Sequence, residues 1–182
     1  MNGRLDMDGV IANCALSVSR NIGAQYPYDL IKDGFGYTYE DDFGYDRVRE
    51  AFSTEEFWAE MPKFSWADRI VDLFERQFGD DWIFLTKGFL HPSSLSGKYK
   101  WIEKHYPQHL EKLHICLGRT KYTACDGPDS FLLDDARYNI DPWIAKGGLA
   151  YHWIEMTEVT DNIKIDARIK ELEKFLQERA EV

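Results

Sequence analysis

Asp6-Met7-Asp8-Gly9-Val10 places two carboxylates two positions apart, directly before a glycine. Aspartate is disfavoured in strands and like charges repel, so this pair is costly inside a strand. Open α/β sheets bind ligands at the carboxyl ends of their strands, where such a pair can hold Mg²⁺ or attack a phosphorus atom. The pattern D-x-D-G arises by chance in about one chain in twenty of this length. The rest of the chain must therefore decide the interpretation.

The composition limits the class of protein. The 182 residues suffice for one domain, or for one domain with a modest insertion. With 22 basic and 32 acidic residues, the net charge is −10, which repels long nucleic acids but admits a small phosphorylated substrate. The three cysteines show no C-x-x-C pairing, and the odd number argues against a disulfide framework. The motif starts too early for a secretory signal and no apolar run approaches membrane-spanning length, so we expect a cytoplasmic protein without a membrane partner.

Short apolar runs alternate with helix-like segments in the second part of the chain. Four runs are predicted strands: Trp82–Thr86, Leu113–Leu117, Phe131–Asp134 and Leu149–Trp153. A predicted helix starts with the cap-like Ser65 and stops at Gly79, and Lys98–Tyr106 is a second predicted helix that ends at Pro107. This alternation predicts an α/β fold, a three-layer Rossmann-like parallel sheet with right-handed crossovers.

The segment after the first motif breaks this alternation. Asn2, Gly3 and Arg4 offer little to a central strand, so that strand is either short or an unusual chain start. The next residues hold short helical pieces and twelve aromatic residues between Tyr26 and Trp66, which either build the core of a small lobe or stack on a planar group. The predicted division is a core of residues 1–13 and 65–160, a helical cap inserted at 14–64, and a C-terminal helix at 161–182.

The C-terminal helix is predicted to be amphipathic. Its apolar residues recur at helical spacing among charges: Ile165, Ile169, Leu172 and Leu176. Such a stripe either packs on the body of the protein or supports self-association. A homodimer is therefore left open.

Three further features follow the first motif in chain order. Thr86 ends a predicted strand, where its hydroxyl can donate to a phosphate oxygen. Lys98 is predicted to begin a helix after the Ser/Gly loop Pro92–Gly97, which brings a cation to the same edge of the sheet. Asp134-Asp135 ends another strand and can complete an oxygen shell for Mg²⁺. Four such features in this order are much harder to obtain by chance than any one of them.

Some of these assignments have competitors. Other lysines could replace Lys98, namely Lys100, Lys104 and Lys121. We favour Lys98 because a helix N-terminus attracts phosphate. His105 and His109 stand four positions apart, as zinc ligands on one helix would, but Pro107 breaks the helix that would align them.

The set DMDGV, LT, K and LLDD resembles the haloacid dehalogenase superfamily of aspartate-nucleophile phosphotransferases. Within it, several stretches are similar to the 5′(3′)-deoxyribonucleotidase family: FW-x-x-MP (Phe57–Pro62), GKYKWIEKHY (Gly97–Tyr106), GRTK (Gly118–Lys121) and FLLDD (Phe131–Asp135). The resemblance extends from residue 5 to about residue 153.

The resemblance implies a role for each carboxylate. Asp6 would be the nucleophile, and Asp8 the general acid and base, which also lends its main-chain oxygen to Mg²⁺. Asp134 would be the third protein ligand of the metal, with Asp135 beside it to orient the metal's water shell. The expected metal site therefore comprises Asp6, Asp8, Asp134 and Asp135.

The resemblance also implies roles for neutral and basic residues. Thr86 and Lys98 would bind the transferring phosphoryl group. Arg119 and Lys121 match basic residues that approach the substrate phosphate in this family, although as loop residues they could equally be solvated charges. Two positions depart from the family pattern, Ala136 and Lys87-Gly88, and both bear on substrate preference.

The expected function is Mg²⁺-dependent hydrolysis of a phosphomonoester through an aspartyl-phosphate, with a nucleoside or deoxynucleoside monophosphate as substrate. A small cap suits a small substrate, and three of its aromatics are candidates for holding the base: Phe43, Phe57 and Trp58. One alternative keeps the chemistry but takes a sugar phosphate or another small phosphomonoester. The other alternative is a nucleotide-binding or scaffold protein that keeps the fold without turnover.

Overall fold

A parallel sheet organises the computed structural model, which describes residues 1–23, 44–89, 91–153 and 162–180. In those residues the strands are β1 (Asn2–Leu5), β2 (Trp82–Gly88), β3 (Leu113–Leu117), β4 (Ser130–Asp134) and β5 (Leu149–His152). Across the sheet they stand in the order β3-β2-β1-β4-β5, and every neighbouring pair is parallel. The predicted α/β fold with a parallel sheet is confirmed, and its layers are compatible with a Rossmann-like arrangement.

Helices connect and flank these strands. In the described ranges they are α1 (Cys14–Ile22), α2 (Tyr45–Phe52), α3 (Glu55–Ala59), α4 (Ala67–Phe78), α5 (Pro92–His105), α6 (Arg137–Ala145) and α7 (Asn162–Ala180). Short 3₁₀ turns at Pro107–Lys112 and Lys121–Ala124 precede and follow β3. The first three helices lie between β1 and α4, in the segment for which a cap was predicted. Among all the described helices, none is both long and apolar enough to cross a membrane.

The central strand is β1, although its sequence is short and weakly apolar. Gly3 pairs with Trp82 on one side and with Phe131 on the other. A β-carbon at Gly3 would lie 2.6 Å from Phe78 Cδ2, so glycine lets α4 pack this closely on the strand. Close packing therefore explains why the sequence of this strand is weakly apolar. Of the two alternatives left open by the sequence, the structure shows a short strand.

Helix α5 begins earlier than its sequence suggests. The prediction of a loop over Pro92–Gly97 was wrong, because these residues form the first turns of the helix. Proline fits the first helical position, where its missing N–H would have no partner, and the His91 side chain accepts a hydrogen bond from the Ser93 N–H (3.4 Å). Lys98 therefore lies in the second turn and not at the helix N-terminus.

The C-terminal helix α7 packs on the body of the protein. Its predicted apolar stripe is buried: Ile165, Ile169, Leu172 and Leu176. Arg69 of α4 forms an ion pair with Asp166 (2.6 Å), and Arg76 forms another with Glu173 (3.3 Å). The apolar face of α7 thus packs on the body of the same chain, which is the first of the two roles predicted for it.

Helix α3 packs on α5 at Gly97, where a β-carbon would lie 2.5 Å from Trp58 Cβ and 2.7 Å from the Glu55 carbonyl oxygen. Gly97→Ala should therefore lower the free energy of unfolding by about 1–3 kcal/mol, the usual cost of overpacking. The sign of this change is informative, because replacing glycine by alanine at a helix position with free space normally stabilises the protein. Chemical denaturation measures the change.

The matched control is Glu103→Ala, at an exposed position of the same helix. It should change the free energy of unfolding by less than about 0.5 kcal/mol. If Gly97→Ala were equally harmless, the close contact between α3 and α5 would be refuted.

Candidate functional site

Buried carboxylates lie side by side at the carboxyl edge of the sheet. Asp6 directly follows β1 and Asp134 ends the neighbouring β4, and both are nearly or fully buried. The Asp6 N–H donates to the Leu133 carbonyl (3.0 Å), which continues the pairing of the two strands. Carboxylate oxygens of Asp6, Asp134 and Asp135 all lie within 4.8 Å of one another. The structure therefore brings together residues that are almost 130 positions apart in the sequence.

The glycine of the first motif makes this clustering possible. Gly9 has φ +79°, a left-handed conformation that suits glycine. A β-carbon at this position would lie 1.9 Å from Asp135 Oδ2, so any other residue would displace that carboxylate. The turn is closed by the Met7 carbonyl, which accepts from the N–H groups of Ile11 and Ala12 (2.9 Å each). Gly9 thus shapes the turn and leaves room for Asp135.

Lys121 joins the two central carboxylates. Its Nζ lies 2.6 Å from Asp6 Oδ1 and 2.7 Å from Asp134 Oδ2, and the side chain is almost fully buried. Burial by itself would lower the pKa of Lys121, but the charges of Asp134 and Asp6 outweigh it and raise that pKa above its usual value. The alternative of a solvated loop charge is therefore excluded for Lys121.

Lys98 forms a second buried cation next to the first. Its Nζ lies 2.5 Å from Asp8 Oδ2 and donates to Thr86 Oγ1 (2.8 Å) and to the Lys87 carbonyl (2.7 Å). The Trp58 ring centroid lies 5.0 Å from the same nitrogen. Lys98 thus directly contacts the predicted residues Asp8 and Thr86. The reason given for Lys98 from the sequence, a place at the helix N-terminus, was wrong, because the helix starts at Pro92.

The competing lysines of α5 point elsewhere. Lys100 is exposed and pairs with Glu55, and Lys104 is exposed and pairs with Glu60 (2.6 Å). Both ion pairs link α5 to the neighbouring segment around α3. Of these three lysines of α5, Lys98 is the one that contacts a carboxylate of the site.

Residues that the sequence did not indicate hold Asp134 and Asp135 in place. Asp134 Oδ1 accepts from the Ala136 N–H (2.8 Å), and the Asn139 amide donates to both Asp134 oxygens (3.1 Å each). His152 Nε2 lies 2.8 Å from the Asp135 carbonyl oxygen. The only sequence signal for Asn139 is its place one turn into the helix after the Asp pair, a position at which asparagine is unremarkable.

The predicted base-holding aromatics are packed on protein atoms, as far as the structure describes them. Phe57 and Trp58 are almost fully buried, and their ring centroids lie 4.9 Å apart in an edge-on arrangement. The Phe52 ring contacts both, at 4.9 and 5.1 Å. Phe43 lies outside the described residues. Base stacking by these residues stays a prediction.

Two further cations lie on one tyrosine ring at the edge of the site. Arg119 Cζ lies 4.7 Å from the Tyr138 ring centroid, and Lys87 Nζ lies 5.9 Å from it. Arg119 is exposed and Lys87 is half-buried; we call these two residues the rim pair. Burial, together with the positive charges of Arg119 and Lys98, lowers the pKa of Lys87. Sequence reasoning noted Lys87 only as a departure from a family pattern, and it missed Tyr138.

Acidic charge is concentrated at this site. Burial, and then the negative charge of Asp134, raises the pKa of Asp6 from 3.8 to about 7. Burial and the charges of Asp134 and Asp6 also raise the pKa of Asp135 well above its usual value. When the carboxylates of Asp6, Asp8, Asp134 and Asp135 are all ionised, the two lysines that contact them in the described structure leave two negative charges unbalanced.

This donor set fits a divalent cation. Oxygen ligands from carboxylates are those that Mg²⁺ prefers, and the excess negative charge equals the charge of one such ion. Asp6, Asp134 and Asp135 would hold it. The Asp8 carboxylate contacts Lys98, and its Oδ1 is a buried oxygen without a hydrogen-bond partner in the described structure. Metal binding by the main-chain oxygen of Asp8 stays a prediction.

Comparison with known proteins adds no family assignment. No protein-family model matches the chain, and no curated protein matches it either.

In the absence of metal, the protein should become less stable as the pH rises through about 7. Asp6 ionises near 3.8 when unfolded but only near 7 when folded, so its contribution to stability is complete below the first value and lost above the second. Asp135 acts in the same direction. Thermal unfolding in EDTA between about pH 5 and about pH 8 measures the slope, which should be smaller in Asp6→Asn. Identical slopes would contradict the burial of an ionisable Asp6.

Mg²⁺ should raise the thermal unfolding midpoint of the wild type, because an ion that binds only the folded state stabilises it. Asp134→Asn keeps the shape of the side chain but removes its charge, and it should lose most of that rise. Asp129→Asn, an exposed position before β4 at the opposite edge of the sheet, should keep all of it. Equal rises in both variants would place the metal elsewhere.

Proposed function

We propose that this protein is a Mg²⁺-dependent phosphomonoesterase that acts through an aspartyl-phosphate on Asp6. The observation that carries the proposal is a pair of buried bridges: Lys121 joins Asp6 to Asp134, and Lys98 joins Asp8 to Thr86. Buried charges of this density are costly to assemble, and they cluster where chemistry needs them. The resemblance to haloacid dehalogenase phosphotransferases supports the same proposal.

Asp6 is the nucleophile in this proposal. Its Oδ1 is held by the Met7 N–H (2.7 Å) and by Lys121 (2.6 Å), which fixes the carboxylate in one orientation. Attack forms a bond from an Asp6 oxygen to phosphorus as the bond to the leaving oxygen breaks. Water then hydrolyses the aspartyl-phosphate and releases phosphate. Mg²⁺ held by Asp6, Asp134 and Asp135 would neutralise the charge that otherwise keeps a carboxylate away from a phosphate anion.

Asp8 is the general acid and base. It gives a proton to the leaving oxygen in the first step and takes one from the attacking water in the second. Lys98 contacts both Asp8 and Thr86, so its ammonium group lies between the acid and the hydroxyl that would donate to the phosphoryl group. Lys98 and Thr86 together supply donors for the phosphoryl oxygens.

The substrate class follows from the resemblance to 5′(3′)-deoxyribonucleotidases, which favours a nucleoside or deoxynucleoside monophosphate. One observation favours a second candidate, a sugar phosphate or another small phosphomonoester. The rings of Phe57 and Trp58 are covered by protein atoms, so they offer little free face to a base. A panel that contains both kinds of substrate separates the candidates.

The cysteines support the expected compartment. Cys116 and Cys125 form no disulfide in the described part of the chain. Free thiols are typical of reducing compartments such as the cytoplasm, which we propose as the location.

The test is release of inorganic phosphate from nucleoside monophosphates, deoxynucleoside monophosphates and sugar phosphates, with Mg²⁺ or with EDTA. Wild type should hydrolyse some of them only with Mg²⁺. Asp6→Asn should lower kcat by at least about a thousandfold, because no nucleophile remains. Asp129→Asn, which changes an exposed aspartate at the other edge of the sheet, should retain full activity.

Activity that survives in Asp6→Asn would refute the aspartyl-phosphate route. Hydrolysis in EDTA would refute the metal dependence. Tight nucleotide binding without any release of phosphate would favour the binding protein, and equal rates on nucleotides and sugar phosphates would remove the argument for base recognition.

A further inference from the structure

We propose that the rim pair, Lys87 and Arg119, binds a second anionic group of the substrate, a phosphate or a carboxylate carried by the leaving group. This inference rests on the proposed phosphomonoesterase function and narrows its substrate class. It predicts that a substrate with two anionic groups is preferred over one whose leaving group is neutral.

Three separate elements bring the subsite together. Lys87 lies in β2 directly after Thr86, and Arg119 follows the end of β3, the parallel neighbour of β2. Tyr138 lies in the first turn of α6, which follows β4. Because all three strands end at the same edge of the sheet, one tyrosine ring receives both cations, at 5.9 and 4.7 Å from its centroid. The ring of Tyr138 thus contacts two like charges.

The rim pair differs from the inner lysines in its charge balance. Lys98 is paired with Asp8, and Lys121 with Asp6 and Asp134. Among the residues that the structure describes, neither Lys87 nor Arg119 forms an ion pair with a carboxylate. Two cations that contact one ring repel each other, as the effect of Arg119 on the pKa of Lys87 indicates, and an anion bound by both would relieve that repulsion. The pair is therefore suited to an anion that comes from outside the chain.

The direction of the side chains separates this anion from the transferred phosphoryl group. Successive residues of a strand point to opposite faces, so the Lys87 side chain leaves β2 on the side away from the Thr86 hydroxyl. Lys98 contacts Lys87 through its main-chain carbonyl (2.7 Å), and the Lys87 ammonium extends toward Tyr138. The Lys87 side chain of the rim pair thus lies on the other side of β2 from the Thr86 hydroxyl, apart from the donors proposed for the transferred phosphoryl group.

The chemistry of the two side chains suits an oxyanion. A guanidinium presents paired donors that match a phosphate or a carboxylate, and the lysine ammonium adds a point charge. The exposure of Arg119 leaves room for a group that enters from solvent. Lys112 is a useful comparison, because its Nζ also lies over an aromatic ring, 5.2 Å from the Trp82 centroid, but before β3 at the opposite edge of the sheet.

The experiment compares matched substrates in the presence of Mg²⁺. The pairs are a nucleoside 5′-monophosphate with its 3′,5′-bisphosphate, a sugar monophosphate with its bisphosphate, and ethyl phosphate with phosphoglycolate. Wild type should show kcat/KM at least about tenfold higher for the member with the second anion, as expected for charge-assisted hydrogen bonds. Lys87→Gln and Arg119→Gln should each remove most of that ratio, whereas Lys112→Gln should leave the ratio unchanged. The bisphosphate and phosphoglycolate pairs distinguish a phosphate from a carboxylate as the second anion.

A wild type that hydrolyses both members of each pair equally would overturn the proposal. So would rim variants that lose activity equally on both members, because the pair would then act on the transferred phosphoryl group. If wild type hydrolyses none of these compounds, the proposed function fails. Calorimetry then measures how tightly wild type binds the two members of each pair, which tests the subsite separately. In that case tighter binding of the bisphosphates that is lost in Arg119→Gln supports it, and equal binding refutes it.

Discussion

The organising constraint of this protein is the burial of like charge at the ends of two adjacent strands. Asp6 and Asp134 lie next to each other because β1 and β4 are paired, and neither side chain is open to bulk water. Uncompensated carboxylates in such a place would not stay ionised. Lys121 relieves part of the repulsion, but burial and the negative charge of Asp134 still raise the pKa of Asp6 to about 7. A strongly bound cation would complete the balance.

Contacts from several surrounding segments compensate the charge of the buried carboxylates and hold them in place. Each compensating lysine comes from a different connection: Lys98 from α5, which follows β2, and Lys121 from the 3₁₀ turn that follows β3. The site therefore joins two connections of the chain to one edge of the sheet. Gly9 allows the turn after β1 to leave space for Asp135, and Asn139 holds both oxygens of Asp134 from the next helix. These contacts fix each carboxylate before any ligand arrives.

Next to this acidic interior lie two cations that form no ion pair with a carboxylate of the described residues. Lys98 and Lys121 form ion pairs with carboxylates of the chain, whereas Lys87 and Arg119 contact the ring of Tyr138. On a chain whose net charge is −10, cations held in this way at the mouth of an acidic site would attract an anionic ligand locally. Catalytic and selective functions would thus be divided between an inner and an outer set of cations.

The sequence by itself determined the parallel α/β fold, the apolar face of α7 and the strand ends that carry Asp6 and Asp134. These features depend on local patterns, namely apolar runs, helical spacing and acidic residues after strands. The sequence also named Lys98, Lys121 and Arg119 as candidate cations of the site. Tertiary structure alone decided how each of them is buried and paired, because burial depends on contacts between distant segments. It turned Lys98 inward, buried Lys121 and brought Tyr138 under two cations, and none of these outcomes leaves a periodic signal in the chain.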